Sequence, residues 1–176
     1  KAVVDRWLRE RWQWLRSHGI DPMKANWDQG LEQLDQRLRN EFNRTFSQRW
    51  HNELDECHGE RVLRRPELAH IVANSLKHFN GDRYELTDFV VMPNHIHLIV
   101  QFHQGFELAR QTESWLRYSA TAINRRLGRK GAFWQAEPFD HLIRSDRQFE
   151  YLQRYIRENP DRAGLQSGEF LYWTRK

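Results

Sequence analysis

The sequence predicts an α+β fold in which an N-terminal helical hairpin precedes a core of helices and antiparallel strands. Three observations predict it. Apolar residues recur at helical spacing over 2–17, 31–54, 66–79, 106–127 and 146–158. Two apolar-rich runs, 84–92 and 95–102, meet at Met92-Pro93-Asn94 and read as a β-hairpin. Turn signals such as His18-Gly19, His58-Gly59 and Asn80-Gly81 fall between these segments.

The first helix carries Val4, Leu8, Trp12 and Leu15 on one stripe, and His18-Gly19 supplies its stop. Over 31–54 the stripe is Leu31, Leu34, Leu38, Phe42, Phe46, Trp50 and Leu54, so one long helix is expected. Arg37, Arg39, Arg44 and Arg49 lie off that stripe and form either a solvated face or a nucleic-acid face. A boundary is expected near His58, with 1–57 a helical appendage and 58–176 the core. Pro66 suits the first turn of the third helix, whose Leu68, Val72, Leu76 and Phe79 face inward.

The helix over 106–127 turns Leu108, Trp115, Leu116, Ala120 and Ile123 to one side. It runs into a flexible basic loop carrying Arg125, Arg126, Arg129 and Lys130, suited to phosphates. Phe133-Trp134-Gln135 reads as an extended stretch and 139–144 as a strand. Ser145 suits an N-cap and Asp146 a first turn. The fifth helix, 146–158, is expected to stop at Asn159-Pro160, because the residue before a proline is pushed out of the α region. Tyr172-Trp173 in the short tail reads as a docking pair.

Length allows one domain plus an appendage in 176 residues. The single cysteine, Cys57, cannot form a disulfide framework, which favours a reducing, cytoplasmic setting. No apolar run approaches the roughly 20 residues of a membrane span, and no signal peptide or glycine-rich nucleotide loop is found. The chain opens on Lys1 rather than Met, which suggests a truncated N-terminus. Net charge is +4, from 28 basic and 24 acidic residues, so the distribution of charge matters more than its sum. Eight tryptophans in a basic chain suit single-stranded nucleic acid, although most such rings serve a core.

Candidate chemistry begins at His95 and His97. Successive strand residues point to opposite faces, so these two share one face and Ile96, Leu98 and Val100 share the other. Two imidazoles at this spacing either bind one metal ion or are ordinary strand histidines. Tyr151, Tyr155 and Asn159 recur every four residues on one helical face. Alone they describe a packed tyrosine. Joined to the histidines they have a chemical meaning: a phenol can attack a phosphodiester that a divalent cation polarises.

Several motifs in order carry a resemblance. They are Met92-Pro93-Asn94-His95-Ile96-His97, Gly131-Ala132-Phe133-Trp134-Gln135, Phe139-Asp140-His141-Leu142-Ile143-Arg144, Tyr155-Ile156-Arg157-Glu158-Asn159-Pro160 and Ala163-Gly164-Leu165. In this order over 66–176 the sequence resembles the REP-associated tyrosine transposases of the single-tyrosine HUH superfamily. Residues 1–57 resemble an insertion found in part of that family.

The resemblance implies a ferredoxin-like core, a four-stranded antiparallel sheet with helices on one face. The family's core opens with a strand, and no strand-like run precedes residue 84. Either that first strand is missing from this chain, leaving three, or the sheet is completed differently. The resemblance also implies a Mg²⁺- or Mn²⁺-dependent single-strand DNA endonuclease and strand transferase acting on hairpins of repetitive extragenic palindromes. By motif position Tyr155 is then the nucleophile, with His95, His97 and Asn159 the metal ligands. Arg125, Arg126, Arg129, Lys130 and Arg144 are candidates for phosphate contact, and Trp134 for base stacking. Asp140, His141 and Arg144 either orient metal ligands and bind phosphate or are ordinary strand polarity. The expected setting is the nucleoid, as monomer or dimer, with no membrane and no nucleotide cofactor. Two other readings stay open: a catalytically idle DNA- or RNA-binding relative, and a metal phosphodiesterase that uses water.

Overall fold

The computed structural model describes residues 2–24, 27–48, 60–134 and 142–175. The chain divides into two compact units, Lys1–Leu54 and Asp55–Lys176.

The first unit holds α1 (Ala2–Ser17), α2 (Trp27–Gln33) and α3 (Gln36–Phe42), the last continuing as a π-helical turn, Asn43–Gln48. Its core is aromatic: Trp7, Phe42 and Phe46 are buried with Leu15 and Ile20. The Arg11 guanidinium lies 4.6 Å from the centre of the Trp27 ring. Leu15 is buried as expected, but Trp7 carries the buried face of α1 and Trp12 is only half-buried. The single helix expected over 31–54 is interrupted. The Asp35 carboxylate accepts a hydrogen bond from the Leu38 N–H at 2.8 Å and starts a new helix there. The apolar stripe runs on across this break, so periodicity concealed it. Residues 49–54 lie outside the described residues.

The second unit runs through a 3₁₀ turn (Val62–Arg64), α4 (Pro66–Lys77), β1 (Tyr84–Val91), β2 (Ile96–Phe102), α5 (Leu108–Leu127), α6 (Asp146–Arg162) and β3 (Leu171–Thr174). Among the described residues the strands form a three-stranded antiparallel sheet, ordered β2-β1-β3. The fold is α+β, with three strands among the described residues where the resemblance implies four.

The central strand has an irregularity. Leu86 pairs with Val100, but Asp88 pairs with Ile99, so Thr87 is one residue extra. Such a bulge reverses which face the following residues point to. On one face Leu86, Phe89 and Val91 pack with Leu98 and Val100 against Leu68, Val72 and Leu76 of α4 and Trp115 and Ile123 of α5. Buried Tyr84 in this layer donates to the Leu76 carbonyl at 2.7 Å and accepts from Trp115 Nε1–H at 3.0 Å. Burial raises its phenol pKa. On the opposite face Val90, Met92 and Ile99 meet Ile156 of α6, with Leu152, Tyr155 and Tyr172 around them.

Two expectations are corrected here. The third strand is the C-terminal segment Leu171–Thr174, where Trp173 pairs with Phe89 and Tyr172 with Val90. Of the strand expected over 139–144, residues 142–144 are irregular, and 135–141, with Asp140 and His141, lie outside the described residues. Helix α6 also does not stop at Asn159. It passes through Pro160 to Arg162. A proline deletes one backbone bond, and here the loss falls in the last turns, whose end is closed well. The Leu165 N–H donates to the Pro160 carbonyl at 2.9 Å and the Gly164 N–H to the Asp161 carbonyl at 3.0 Å. Gly164 supplies the left-handed φ of 66° that this closure needs. Among the described residues no helix is long and apolar enough to cross a membrane.

Candidate active site

The β1–β2 hairpin delivers the histidines. Its connection, Met92-Pro93-Asn94-His95, is closed by the Met92 N–H donating to the His95 carbonyl at 2.9 Å. The buried Pro93 carbonyl accepts from the Leu63 N–H at 2.9 Å, so the 3₁₀ turn before α4 anchors the loop. His95 is thus the last loop residue, 6% exposed, and His97 lies in the strand. Their Nε2 atoms stand 3.0 Å apart with the rings inclined at 82°. His95 Nδ1 lies 2.7 Å from Asn94 Oδ1, a carbonyl that can only accept. With its hydrogen on Nδ1, His95 would donate to that carbonyl and turn its Nε2 lone pair toward His97.

Helix α6 brings the tyrosine to the same side. The Ser145 hydroxyl caps its start, accepting from the Gln148 N–H at 3.2 Å. Ile156 seats the helix on Val90, Met92 and Ile99. The Tyr155 ring then meets His97 edge-on, with ring centres 5.3 Å apart at 78°. The Arg162 guanidinium lies 5.6 Å from the Tyr155 ring centre and pairs with Glu158 at 2.9 Å. Asn159, one turn on, is fully buried. Tyr151 is 60% exposed.

The donor set can be compared with the needs of a cation. Two ligands at neighbouring corners of an octahedral Mg²⁺-type ion, each bonded at about 2.1 Å, lie about 3.0 Å apart. The separation of the two imidazole Nε2 atoms is 3.0 Å, and Nδ1 of His95 is already tied down by Asn94. Among the described residues no group of three or more His, Cys, Asp or Glu gathers anywhere.

A family model described as Transposase IS200 like matches residues 60–159. The chain belongs to that family. Curated proteins and solved structures give no match. The matched span starts just before the turn that anchors the hairpin and ends at Asn159, so it encloses His95, His97 and Tyr155.

Membership in a transposase family makes DNA the partner, and the other residues expected to touch it are placed as follows. Arg125 and Arg126 are exposed in the last turn of α5. The loop after them is tied rather than slack: Gly128 takes a left-handed cap, and Asn124 Nδ2–H donates to the Gly131 carbonyl at 2.8 Å. Lys130 is exposed, whereas Arg129 forms an ion pair with Glu60. Arg144 is exposed, next to the Ser145 cap. Trp134 is half-buried against the α4–α5 core, and its Nε1–H donates to Ser119 Oγ at 2.9 Å.

Sequence reasoning missed the polar group beneath α6. Asp88 is 2% exposed, and Gln153 Nε2–H and the Tyr172 hydroxyl each donate to its carboxylate at 2.7 Å. Burial, then the contact with Asp88, raises the Tyr172 pKa. A carboxylate directly before Phe89-Val90-Val91 was the available signal.

Proposed function

We propose that this transposase is a metal-dependent single-strand DNA endonuclease and strand transferase of the REP-associated type. It would act on palindromic hairpin DNA through a 5′-phosphotyrosine intermediate. The observation that carries the reading is the meeting of Tyr155 with the histidine pair, 5.3 Å from the ring of His97, whose Nε2 is 3.0 Å from that of His95. A tyrosine packed only for stability has no need of two converging imidazoles beside it.

His95, His97 and Asn159 would hold Mg²⁺ or Mn²⁺, which when bound supplies Lewis-acid polarisation of the scissile phosphate. The rest of the step belongs to the chain. Asn94, 2.7 Å from His95 Nδ1, would hold His95 in the tautomer that leaves Nε2 free for the cation. Tyr155 attacks phosphorus: a bond forms to its phenolic oxygen, the bond to the 3′-oxygen breaks, and the phenolic proton ends on that leaving oxygen. Phosphodiester energy stays in the phosphotyrosine, so a 3′-hydroxyl can reverse the step at a new end without ATP. Arg125, Arg126 and Lys130 attract the DNA backbone. The exposed ring of Tyr151 offers a surface on which an unpaired base can stack. The meeting of Tyr155 with His97 of its own chain supports cleavage within a single subunit.

The test is cleavage of a labelled hairpin oligonucleotide in Mg²⁺. Tyr155→Phe should still bind the hairpin and form no denaturation-resistant protein–DNA adduct. Cleavage by that variant would exclude Tyr155 as nucleophile. Mixing His97→Ala with Tyr155→Phe should restore nothing, since each chain carries its own pair.

A further inference from the structure

The central strand bends its own alternation to place a carboxylate. Without the extra residue Thr87, Asp88 would share the apolar face of Leu86 against α4 and α5. With it, Asp88 turns to the α6 side, the face of Val90 and His97. There it is buried, paired across the strands with Ile99 and two residues from Val90, positions that apolar residues fill. A buried carboxylate is costly unless fully hydrogen-bonded, and its two bonds come from different elements: Gln153 on α6 and Tyr172 on β3.

We propose that Asp88 is a positioning residue that sets where Tyr155 stands against the histidine pair, an inference that rests on the reading of Tyr155 as nucleophile. Apolar contact is non-directional and lets a helix roll. A hydrogen bond does not. At 3.6 residues per turn, Gln153 and Tyr155 lie on opposite flanks of the Ile156 stripe. Rolling α6 so as to lift Tyr155 from His97 therefore displaces Gln153 from Asp88. The Tyr172 hydroxyl holds the other carboxylate oxygen, so the anchor is fixed to β3 as well as β1.

Gln153→Glu tests this by keeping size while setting a second carboxylate against Asp88 in place of the amide donor. The folded variant should bind the hairpin within about twofold of wild type yet form the adduct at least about tenfold more slowly in single turnover, as expected when reacting groups are misplaced. Adding Asp88→Asn should restore the rate, because the new amide then donates to the new carboxylate while its oxygen still accepts from Tyr172. In a DNA-free sample the NMR signals of the His97 ring protons, which feel the Tyr155 ring, should move in Gln153→Glu and return in the double variant. An unchanged rate, a loss that Asp88→Asn fails to repair, or unmoved His97 signals would overturn the proposal. If Gln153→Glu does not fold, Gln153→Ala replaces it with the same rate and NMR expectations. If wild type forms no adduct, the nucleophile reading fails, and the NMR comparison alone still decides whether Asp88 positions the ring.

Discussion

The two faces of the sheet come from the same strands and do different work. One face, with Leu86, Phe89, Val91, Leu98 and Val100, is covered by α4 and α5 and is apolar apart from the Tyr84–Trp115 pair. The other, with Asp88, Val90, His97, Ile99 and Tyr172, meets α6 and mixes apolar seating with polar groups. The comparison separates stability from chemistry. The covered face has residues whose loss leaves a cavity. On the proposed mechanism the α6 face also has His97, whose loss should leave the fold standing and the reaction without a part.

Substitutions on each face can break that division. The largest effect on stability is expected on the covered face. Phe89 is fully buried and stacked 5.2 Å from Trp173, so Phe89→Ala should cost about 3–5 kcal/mol in denaturant unfolding. Adduct formation per folded molecule should stay near wild type. His97→Ala should do the reverse, lowering adduct formation about a hundredfold or more while changing the unfolding free energy by no more than about 1 kcal/mol. If His97→Ala destabilised the fold as much as Phe89→Ala, the division would be wrong.

Smaller effects sharpen the picture away from both faces. Arg125→Ala and Lys130→Ala should each weaken hairpin binding regardless of sequence and reduce the slope of log affinity against log salt by about one. Arg129→Ala should do less, because Arg129 is already paired with Glu60. The smallest effect is alkaline. The folded-state pKa of Tyr172 is raised by burial, so its contribution is fully present below the unfolded value of about 10 and is lost as pH rises through the folded value. Unfolding free energy should fall above about pH 10, and Tyr172→Phe should flatten part of that fall.

The parts legible in the sequence are those where a local pattern decides the structure. The hairpin was legible because apolar residues flank a proline-containing turn, and α6 because Ser145 and the four-residue recurrence of its aromatic face announce it. The histidine pair and Tyr155 were legible as an ordered set of motifs. Elsewhere distant contacts decide. The strand Leu171–Thr174 has four residues and becomes a strand only by pairing with β1. The break at Asp35 rests on one capping bond inside an unbroken apolar stripe. The Thr87 bulge leaves no mark on composition, yet it decides which face Asp88 joins. Asp88 itself is satisfied by groups 65 and 84 residues away, beyond the reach of any spacing rule.

The account turns on which atom of the protein becomes joined to DNA. Trapping the reaction of wild-type chain with a hairpin oligonucleotide in Mg²⁺, digesting it and sequencing the DNA-bearing peptide by mass spectrometry identifies that atom's residue. The account expects a single phosphotyrosine at Tyr155. A linkage at Tyr151 or any other residue, or cleavage that leaves no linked peptide, would contradict it.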